Sequence, residues 1–181
     1  FTAHASGNIL GAFVGDSCGS LHQFATKELS SVEMDFCLDM PGGGEHKMNP
    51  GQVTDDSELA MCLMHGLTET KEASTLDIDA VLGWYKKWGG SKPFDATETV
   101  TGTLMLKDAS TVEEVRKAAA KLEADDKSIL MLLAPLAVWT AGVEDVGVHR
   151  ALINAHSSLT HADPLARDAA FVYCRAIAFL L

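Results

Sequence analysis

Apolar residues recur at helical spacing along most of the chain, and no convincing strand or hairpin signal appears. Behind Asp55, apolar side chains at positions 59 and 61–64 predict a buried helix with an acidic first turn. Further helices are predicted over 7–21, 77–88, 111–123, 128–140, 143–157 and from 164 onward. We therefore predict an all-α fold in one compact multi-helix domain spanning residues 1–181.

Local stop and start residues fix several of these boundaries. Thr111-Val-Glu-Glu114 is a capping box, in which a threonine and a glutamate three positions later satisfy each other's backbone amides. Gly89-Gly90 predicts the end of the 77–88 helix. Pro164 suits a first helical turn, where its missing N–H is not needed.

Glycines fall every fourth residue along the first predicted helix, at positions 7, 11, 15 and 19. This spacing places them on one face. Two interpretations stay open, and both can hold together: close contact with another helix, or close passage of a ligand or a metal-binding loop.

Residues 24–50 show no sustained period and contain Pro41-Gly-Gly-Gly44, which predicts a long loop with room for one turn of helix. Long loops without structure of their own are uncommon in compact domains and are often functional. This loop leads directly into the most distinctive polar motif of the chain.

That motif is Gly51-Gln-Val-Thr-Asp-Asp-Ser-Glu58, which brings a hydroxyl and two adjacent carboxylates to the start of a helix. Hard cations such as Mg²⁺ and Mn²⁺ take oxygen ligands of this kind. The alternative is local helix chemistry, with Asp55 as the N-cap and Glu58 near the positive end of the helix dipole. The residues alone leave both interpretations open.

The composition is that of a globular chain, with 47% hydrophobic and 22% charged residues among 181. The net charge of −11 opposes binding to nucleic acid or to an anionic membrane surface, and we expect neither partner. Lys86-Lys87 and Arg116-Lys117 are isolated basic pairs that suit solvated helix faces. An acidic protein that handles an anionic ligand usually brings a cation to it.

The four cysteines are widely spaced and form no zinc or redox motif. No apolar run is long enough for a membrane span, and no basic region precedes the N-terminal apolar stretch. These features predict a cytoplasmic protein. The sequence starts at Phe1 and ends on an uncapped apolar helix, from which we expect it to be the N-terminal portion of a longer chain.

Four segments, in order, resemble the ADP-ribosylglycohydrolase family, which includes the dinitrogenase-reductase-activating glycohydrolases and the J1 crystallins. Gln52-Val-Thr-Asp-Asp-Ser57 is similar to its metal motif, and residues 11–19 (GAFVGDSCG) to its opening helix. Pro41-Gly-Gly-Gly44 resembles its glycine turn, and Leu159-Thr-His-Ala-Asp-Pro164 its T-H-x-x-P segment. The resemblance runs from about residue 8 to residue 181.

The resemblance implies a helical domain that holds two Mg²⁺ or Mn²⁺ ions and cleaves ADP-ribose from a modified protein side chain or a small ADP-ribosyl conjugate. By resemblance, Thr54, Asp55 and Asp56 are metal ligands, and the two aspartates also carry the catalysis. His161 would face the ADP-ribose. By resemblance, the turn at Gly43 and Gly44 contacts the ligand. Asp16, on the first helix, is a candidate residue for supporting the metal site.

Three departures from the family pattern favour weaker catalysis or a changed ligand. Gln23 stands where many members have a glutamate, and Leu132 where many have an arginine. The second metal motif, D-x-D followed by a hydroxyl residue, is missing. The nearest match, Asp77-Ile78-Asp79, is followed by alanine and suits a helix cap.

Three functions follow from these residues. The first is a metal-dependent ADP-ribosyl hydrolase. The second is a weakened or inactive relative that acts as a binding or structural subunit, in a larger assembly if structural. The third is a helical interaction module whose acidic cap is incidental.

Overall fold

The computed structural model describes residues 1–70 and 75–181. All regular elements in these two ranges are helical, which confirms the all-α prediction. The α-helices are α1 (Thr2–Gly19), α2 (Ser31–Leu38), α3 (Asp55–Glu69), α4 (Ile78–Gly90), α5 (Glu98–Thr101), α6 (Val112–Leu122), α7 (Leu133–Trp139), α8 (Val146–Ser157) and α9 (Pro164–Leu180). Short 3₁₀ helices cover Ser20–His22 and Lys127–Leu130.

The core forms around the antiparallel contact of α3 with α4. Leu59, Leu63 and Leu67 recur every four residues on α3 and are buried, so they form one apolar face. Gly66 lies against Val81 of α4 so closely that a Cβ there would be 2.6 Å from the Val81 Cα. This glycine therefore lets the two helix backbones approach.

Helix α7 is buried between the α3–α4 pair and α9, which makes it the centre of the domain. Leu133 and Leu136 are completely buried, as are Ala170 and Cys174 on the facing side of α9. The predicted helix over 128–140 is divided, because a 3₁₀ turn precedes α7. Within the described ranges, no helix combines the length and hydropathy that crossing a bilayer requires.

The prediction of a helix–helix contact along the α1 glycines is wrong for the described residues. A Cβ built on any of the four glycines meets no atom within 4 Å. The other interpretation, close passage of a ligand, has partial support because Gly15 and Gly19 line a cavity described below.

The predicted loop over 24–50 contains the eight-residue helix α2. Ser30 and Glu33 form a capping box that starts it. Val32, Met34, Phe36 and Leu38 are all at least half exposed, and they alternate with other residues instead of following a helical period. Because this helix buries no apolar stripe, its sequence lacks helical periodicity, and the Ser30-Ser-Val-Glu33 capping box was the one local signal that could have predicted it.

The capping box at Thr111 and the start of α9 at Pro164 are confirmed. Gly89-Gly90 does not stop α4, which continues through both glycines to Ser91. Gly89 lies next to Met105, where a Cβ would come within 3.2 Å of the Met105 side chain. Packing therefore keeps the glycine inside the helix.

Candidate active site

A cavity of about 400 Å³ opens between α1, the start of α3 and the segment that leads into α7. Its polar wall is formed by Asp16, Ser20, Gln23, Thr54, Asp56 and Ser57. The apolar wall opposite includes Phe13, Leu130, Met131 and Tyr173. Volume and lining are typical of a site for one small molecule with a few oriented polar groups.

Asp16 of α1 holds the predicted metal motif in place through direct hydrogen bonds. One carboxylate oxygen accepts the Thr54 hydroxyl at 2.7 Å, and the other accepts the Thr54 backbone N–H at 2.9 Å. The second oxygen also accepts the Ser57 hydroxyl at 2.6 Å and the Ser57 backbone N–H at 3.2 Å. Asp16 thus satisfies backbone amides that the start of α3 would otherwise leave without a partner.

The interpretation of Asp55 as the N-cap of this helix is wrong. Thr54 is the N-cap, and its hydroxyl accepts the Asp56 backbone N–H at 3.3 Å. Glu58 does not complete a capping box either, because its side chain accepts the Trp88 indole N–H at 2.6 Å. Neither Asp55 nor Asp56 is therefore needed to cap α3.

The carboxylate of Asp55 is buried, and hydrogen bonds satisfy only part of it. The residue is 3% exposed, and its Oδ2 has no hydrogen-bond partner among the described residues. Burial, with a smaller contribution from the charge of Asp95, raises the pKa of Asp55 to about 6, and the Thr97 backbone N–H opposes the shift. An ionised carboxylate in this position costs free energy unless a cation or further donors reach it.

Asp56 is half-buried and lines the cavity. Burial and, to a smaller extent, the charges of Asp55, Asp16 and Asp95 together raise the pKa of Asp56 to about 7. Of these carboxylates, Asp16 and Asp56 line the cavity and Asp55 lies behind its wall. The Asp16 charge is balanced by donors of Thr54 and Ser57, whereas Asp55 keeps an oxygen that is unpaired within the described part of the chain.

These oxygens suit a hard cation in part. Thr54 Oγ1 already donates to Asp16 and accepts from Asp56 N–H, so Asp55 and Asp56 carry most of the capacity for a metal. In residues 1–70 and 75–181, no three His, Cys, Asp or Glu side chains converge as a metal site. Two carboxylates are sufficient for Mg²⁺ when waters and ligand oxygens complete the shell.

Asp95 belongs to this electrostatic group, although no pattern in the sequence indicates it. Its Oδ2 accepts the Gln23 amide at 2.9 Å and lies 3.2 Å from Nε2 of His46. It stands in a short loop between α4 and α5, outside any motif. Its proximity to Asp55 follows from the packing of the loop and would have needed a contact prediction to find.

The two substituted positions among these departures, Gln23 and Leu132, differ in their surroundings. Gln23 lines the cavity, where its amide donates to Asp95. Leu132 is 2% exposed and belongs to the apolar core. An arginine at this backbone position would have to bury its charge or turn its side chain towards the cavity.

The Gly43 and Gly44 turn lies behind the cavity wall, and neither residue lines the cavity. Gly43 pairs with Met48 through two backbone hydrogen bonds of 2.8 Å. Gly44 has φ +68°, and a Cβ there would be 2.7 Å from the Ser20 carbonyl oxygen. Local geometry thus requires this glycine, and a contact of either residue with ADP-ribose stays a prediction.

His161 is 1% exposed and is not part of the cavity lining. Its Nδ1 lies 3.0 Å from the Thr160 hydroxyl, and its Nε2 lies 3.6 Å from Asp126. Burial lowers the pKa of His161, and Asp126 opposes that shift. Asp126 caps the 3₁₀ helix Lys127–Leu130, which leads into the cavity-lining residues Leu130 and Met131. Through Asp126, His161 therefore contacts the segment that forms this wall, on the side away from the cavity.

Asp77 has the structural role that its sequence predicted. Its side chain accepts the Ala80 backbone N–H at 3.0 Å and caps α4. The segment 77–79 therefore does not supply the missing half of a binuclear site.

Comparison with known proteins gives one family. Residues 2–181 match the ADP-ribosylglycohydrolase family. An ADP-ribosyl-[dinitrogen reductase] glycohydrolase of Rhodospirillum rubrum is 34% identical over 95 residues, which cover 52% of this chain and 31% of that protein. A putative ADP-ribosyl glycohydrolase of Acanthamoeba polyphaga mimivirus is 26% identical over 172 residues, covering 91% of this chain and 51% of that protein.

The ADP-ribosylarginine hydrolase Tri1 of Serratia proteamaculans is 30% identical over 107 residues, covering 55% of this chain and 27% of that protein. The chain therefore spans about half the length, or less, of these relatives.

Proposed function

The chain belongs to the ADP-ribosylglycohydrolase family, and we propose that it provides the cation-binding half of a hydrolase that removes ADP-ribose from modified proteins. The substrate class is supported by two relatives, an ADP-ribosyl-[dinitrogen reductase] glycohydrolase and an ADP-ribosylarginine hydrolase. The observation that carries the proposal is the buried Asp55 carboxylate with an unpaired Oδ2, next to Asp56 in the cavity wall.

The proposed cation is Mg²⁺ or Mn²⁺, held by Asp55 and Asp56 with a contribution from Thr54. When bound, such a cation supplies Lewis-acid stabilisation of ligand oxygens and of a water. Uncompensated acidity is a reason for a cation to bind here, since it lowers the electrostatic cost of two ionised carboxylates.

The chain's own residues orient the Asp56 carboxylate and limit the access of bulk water to the cavity. Asp16 holds Thr54 and the first turn of α3, so that the Asp56 carboxylate stays in the cavity wall. Leu130, Met131 and Tyr173 form an apolar side that limits the access of bulk water.

In the overall reaction, a water oxygen bonds to the anomeric carbon as the bond to the acceptor atom breaks, and the water proton passes to a base while the acceptor leaves protonated. We propose that Asp56 is the residue closest to this proton transfer.

The second candidate is a family member that binds ADP-ribose with little or no turnover. It is favoured by Gln23, whose neutral amide donates to Asp95 in the cavity wall where many relatives have an acid. An amide neither accepts a proton at neutral pH nor binds a cation as a carboxylate does.

The proposal is tested by calorimetric titration of Mn²⁺ into the metal-free protein, with and without ADP-ribose. Asp55→Asn and Asp56→Asn should each abolish Mn²⁺ binding, and Asp35→Asn, on the exposed face of α2, should leave it unchanged. Release of ADP-ribose from an ADP-ribosylated protein then separates the two candidates. Wild-type protein without Mn²⁺ binding would remove the metal-dependent hydrolase, and absence of ADP-ribose binding as well would remove the second candidate.

A cytoplasmic setting is also proposed. It is supported by the four cysteines, which are all free thiols in the structure.

A further inference from the structure

Three aromatic side chains lie together beside the cavity. The rings of Phe24 and His46 meet edge to face with centroids 6.0 Å apart, and those of His46 and Phe94 do the same at 5.6 Å. Phe24 is 70% exposed and Phe94 is 44% exposed, so the outer side of both phenylalanines faces solvent. We call these three residues the aromatic rim.

The aromatic rim is joined to the cavity wall by two sequence neighbours. Gln23, which lines the cavity, directly precedes Phe24, and Asp95 directly follows Phe94. Gln23 donates to Asp95, and His46 Nε2 lies 3.2 Å from the same carboxylate oxygen. One polar cluster thus fixes the three aromatic side chains at the edge of the cavity.

Phe24 has φ +65°, in the left-handed region that a bulky residue rarely adopts. This conformation costs free energy, and residues held in it concentrate at functional sites. The structure gains no core packing in return, because the ring is mostly exposed. An exposed aromatic ring held in an unfavourable backbone conformation points to a ligand outside the core.

The size of the cavity indicates what that ligand is. A cavity of about 400 Å³ takes one small molecule, so a polypeptide attached to the ADP-ribose must continue past its edge. We propose that the aromatic rim is the docking surface for the polypeptide that carries the ADP-ribosylated residue. This proposal rests on the function proposed above, because it assumes that ADP-ribose occupies the cavity.

The chemistry of the aromatic rim suits a polypeptide segment with a planar or cationic side chain next to the modified residue. Phenylalanine faces attract such groups through stacking and cation–π contacts. Asp95 adds a negative charge, and the buried Oε1 of Gln23 is an acceptor without a donor. The aromatic rim would therefore favour protein-bound ADP-ribose over a small conjugate with the same linkage.

The test compares an ADP-ribosylated peptide with the corresponding ADP-ribosylated free amino acid. Phe24→Asn keeps a residue that tolerates positive φ and removes the ring. With Phe94→Leu, it should lower kcat/KM for the peptide roughly threefold to tenfold relative to the free amino acid conjugate. Phe24→Tyr should retain the wild-type ratio, and so should Phe36→Leu, which removes an exposed ring of α2 outside the aromatic rim.

The Kd of ADP-ribose should be unchanged in all of these variants, since none of the altered side chains lines the cavity. Equal losses for the peptide and the free amino acid conjugate would overturn the docking surface, as would unchanged peptide kinetics in the double variant. Absence of turnover on both conjugates would contradict the proposed hydrolase instead. In that case, the Kd values of the peptide and of the free amino acid conjugate are measured by competition, and their ratio replaces the ratio of kcat/KM values.

Discussion

Asp16 and Thr54 are 38 residues apart in sequence, yet one carboxylate accepts both the hydroxyl and the backbone N–H of the same threonine. Because Thr54 is also the N-cap of α3, Asp16 determines where that helix begins and how Asp55 and Asp56 are presented. The carboxylate of α1 is thus a positioning group for the proposed cation site.

Asp16→Asn should destabilise the protein and weaken Mn²⁺ binding together. An asparagine has one acceptor oxygen in place of two, so at least one donor of Thr54 or Ser57 loses its partner, at about 1–3 kcal/mol of unfolding free energy. Urea unfolding and calorimetric titration measure the two effects. The exposed Asp35→Asn is the matched control, and full Mn²⁺ affinity in Asp16→Asn would contradict the positioning role.

Without divalent cations, the protein should lose stability as the pH rises from about 4 to about 7. The pKa values of Asp55 and Asp56 are about 6 and about 7 in the folded state, above their common unfolded value of 3.8. The folded state therefore binds more protons in this window, so raising the pH favours unfolding.

The expected loss is on the order of 2 kcal/mol, since each pKa unit corresponds to about 1.4 kcal/mol and partial exposure reduces the effect. Urea unfolding at several pH values measures it. Saturating Mn²⁺ and Asp55→Asn should each flatten the slope. A slope that Asp55→Asn and Asp56→Asn both leave unaltered would assign the pH dependence to other groups.

Gln23→Glu should strengthen divalent-cation binding and lower metal-free stability. The substitution replaces a donor at 2.9 Å from Asp95 by a second carboxylate, which removes a hydrogen bond worth about 1–2 kcal/mol and adds repulsion. A cation relieves this repulsion, so the rise in Tm on adding Mn²⁺ should be larger than in the wild type.

Hydrolase activity should also rise in Gln23→Glu, and unchanged turnover would show that the weakness lies elsewhere. Gln52→Glu is the control for added charge. Its Oε1 accepts from the Asn49 backbone and side chain, so a carboxylate there meets donors.

Gly44→Ala should destabilise the protein by at least about 1–2 kcal/mol, through positive φ and a clash with the Ser20 carbonyl. Gly51→Ala has a similar φ of +71° with no atom within 4 Å of the added Cβ, so it measures the backbone term alone. Thermal unfolding measures the stability loss of both variants, and the difference between the two losses is the cost of the clash. Equal losses would mean that the turn moves away from Ser20 without cost.

ADP-ribose binding by folded Gly44→Ala also tests the predicted ligand contact at the glycine turn. The structure gives this residue a role in packing against Ser20 and Leu21, behind the cavity wall. Affinity loss beyond that of Gly51→Ala would support a direct contact.

The sequence by itself determined the features that are encoded within a few residues. The capping box at Thr111, the proline start of α9 and the acidic first turn of α3 depend on neighbours along the chain, which is why their positions were predicted. The buried face of α3 followed from its period of apolar residues. Helix α2 was not predicted although Ser30 and Glu33 form the same kind of capping box, because its apolar residues alternate and stay exposed instead of following a helical period.

Only the tertiary structure decided how the candidate site is built. The contacts of Asp16 with Thr54 and of Gln23 with Asp95 join residues 38 and 72 positions apart, and no local pattern records them. The raised pKa values of Asp55 and Asp56 depend on burial and on charges from other elements. Local hydrogen bonds and periodicity act along the chain, whereas desolvation and Coulomb interactions act through space, so they become defined only once the helices have packed.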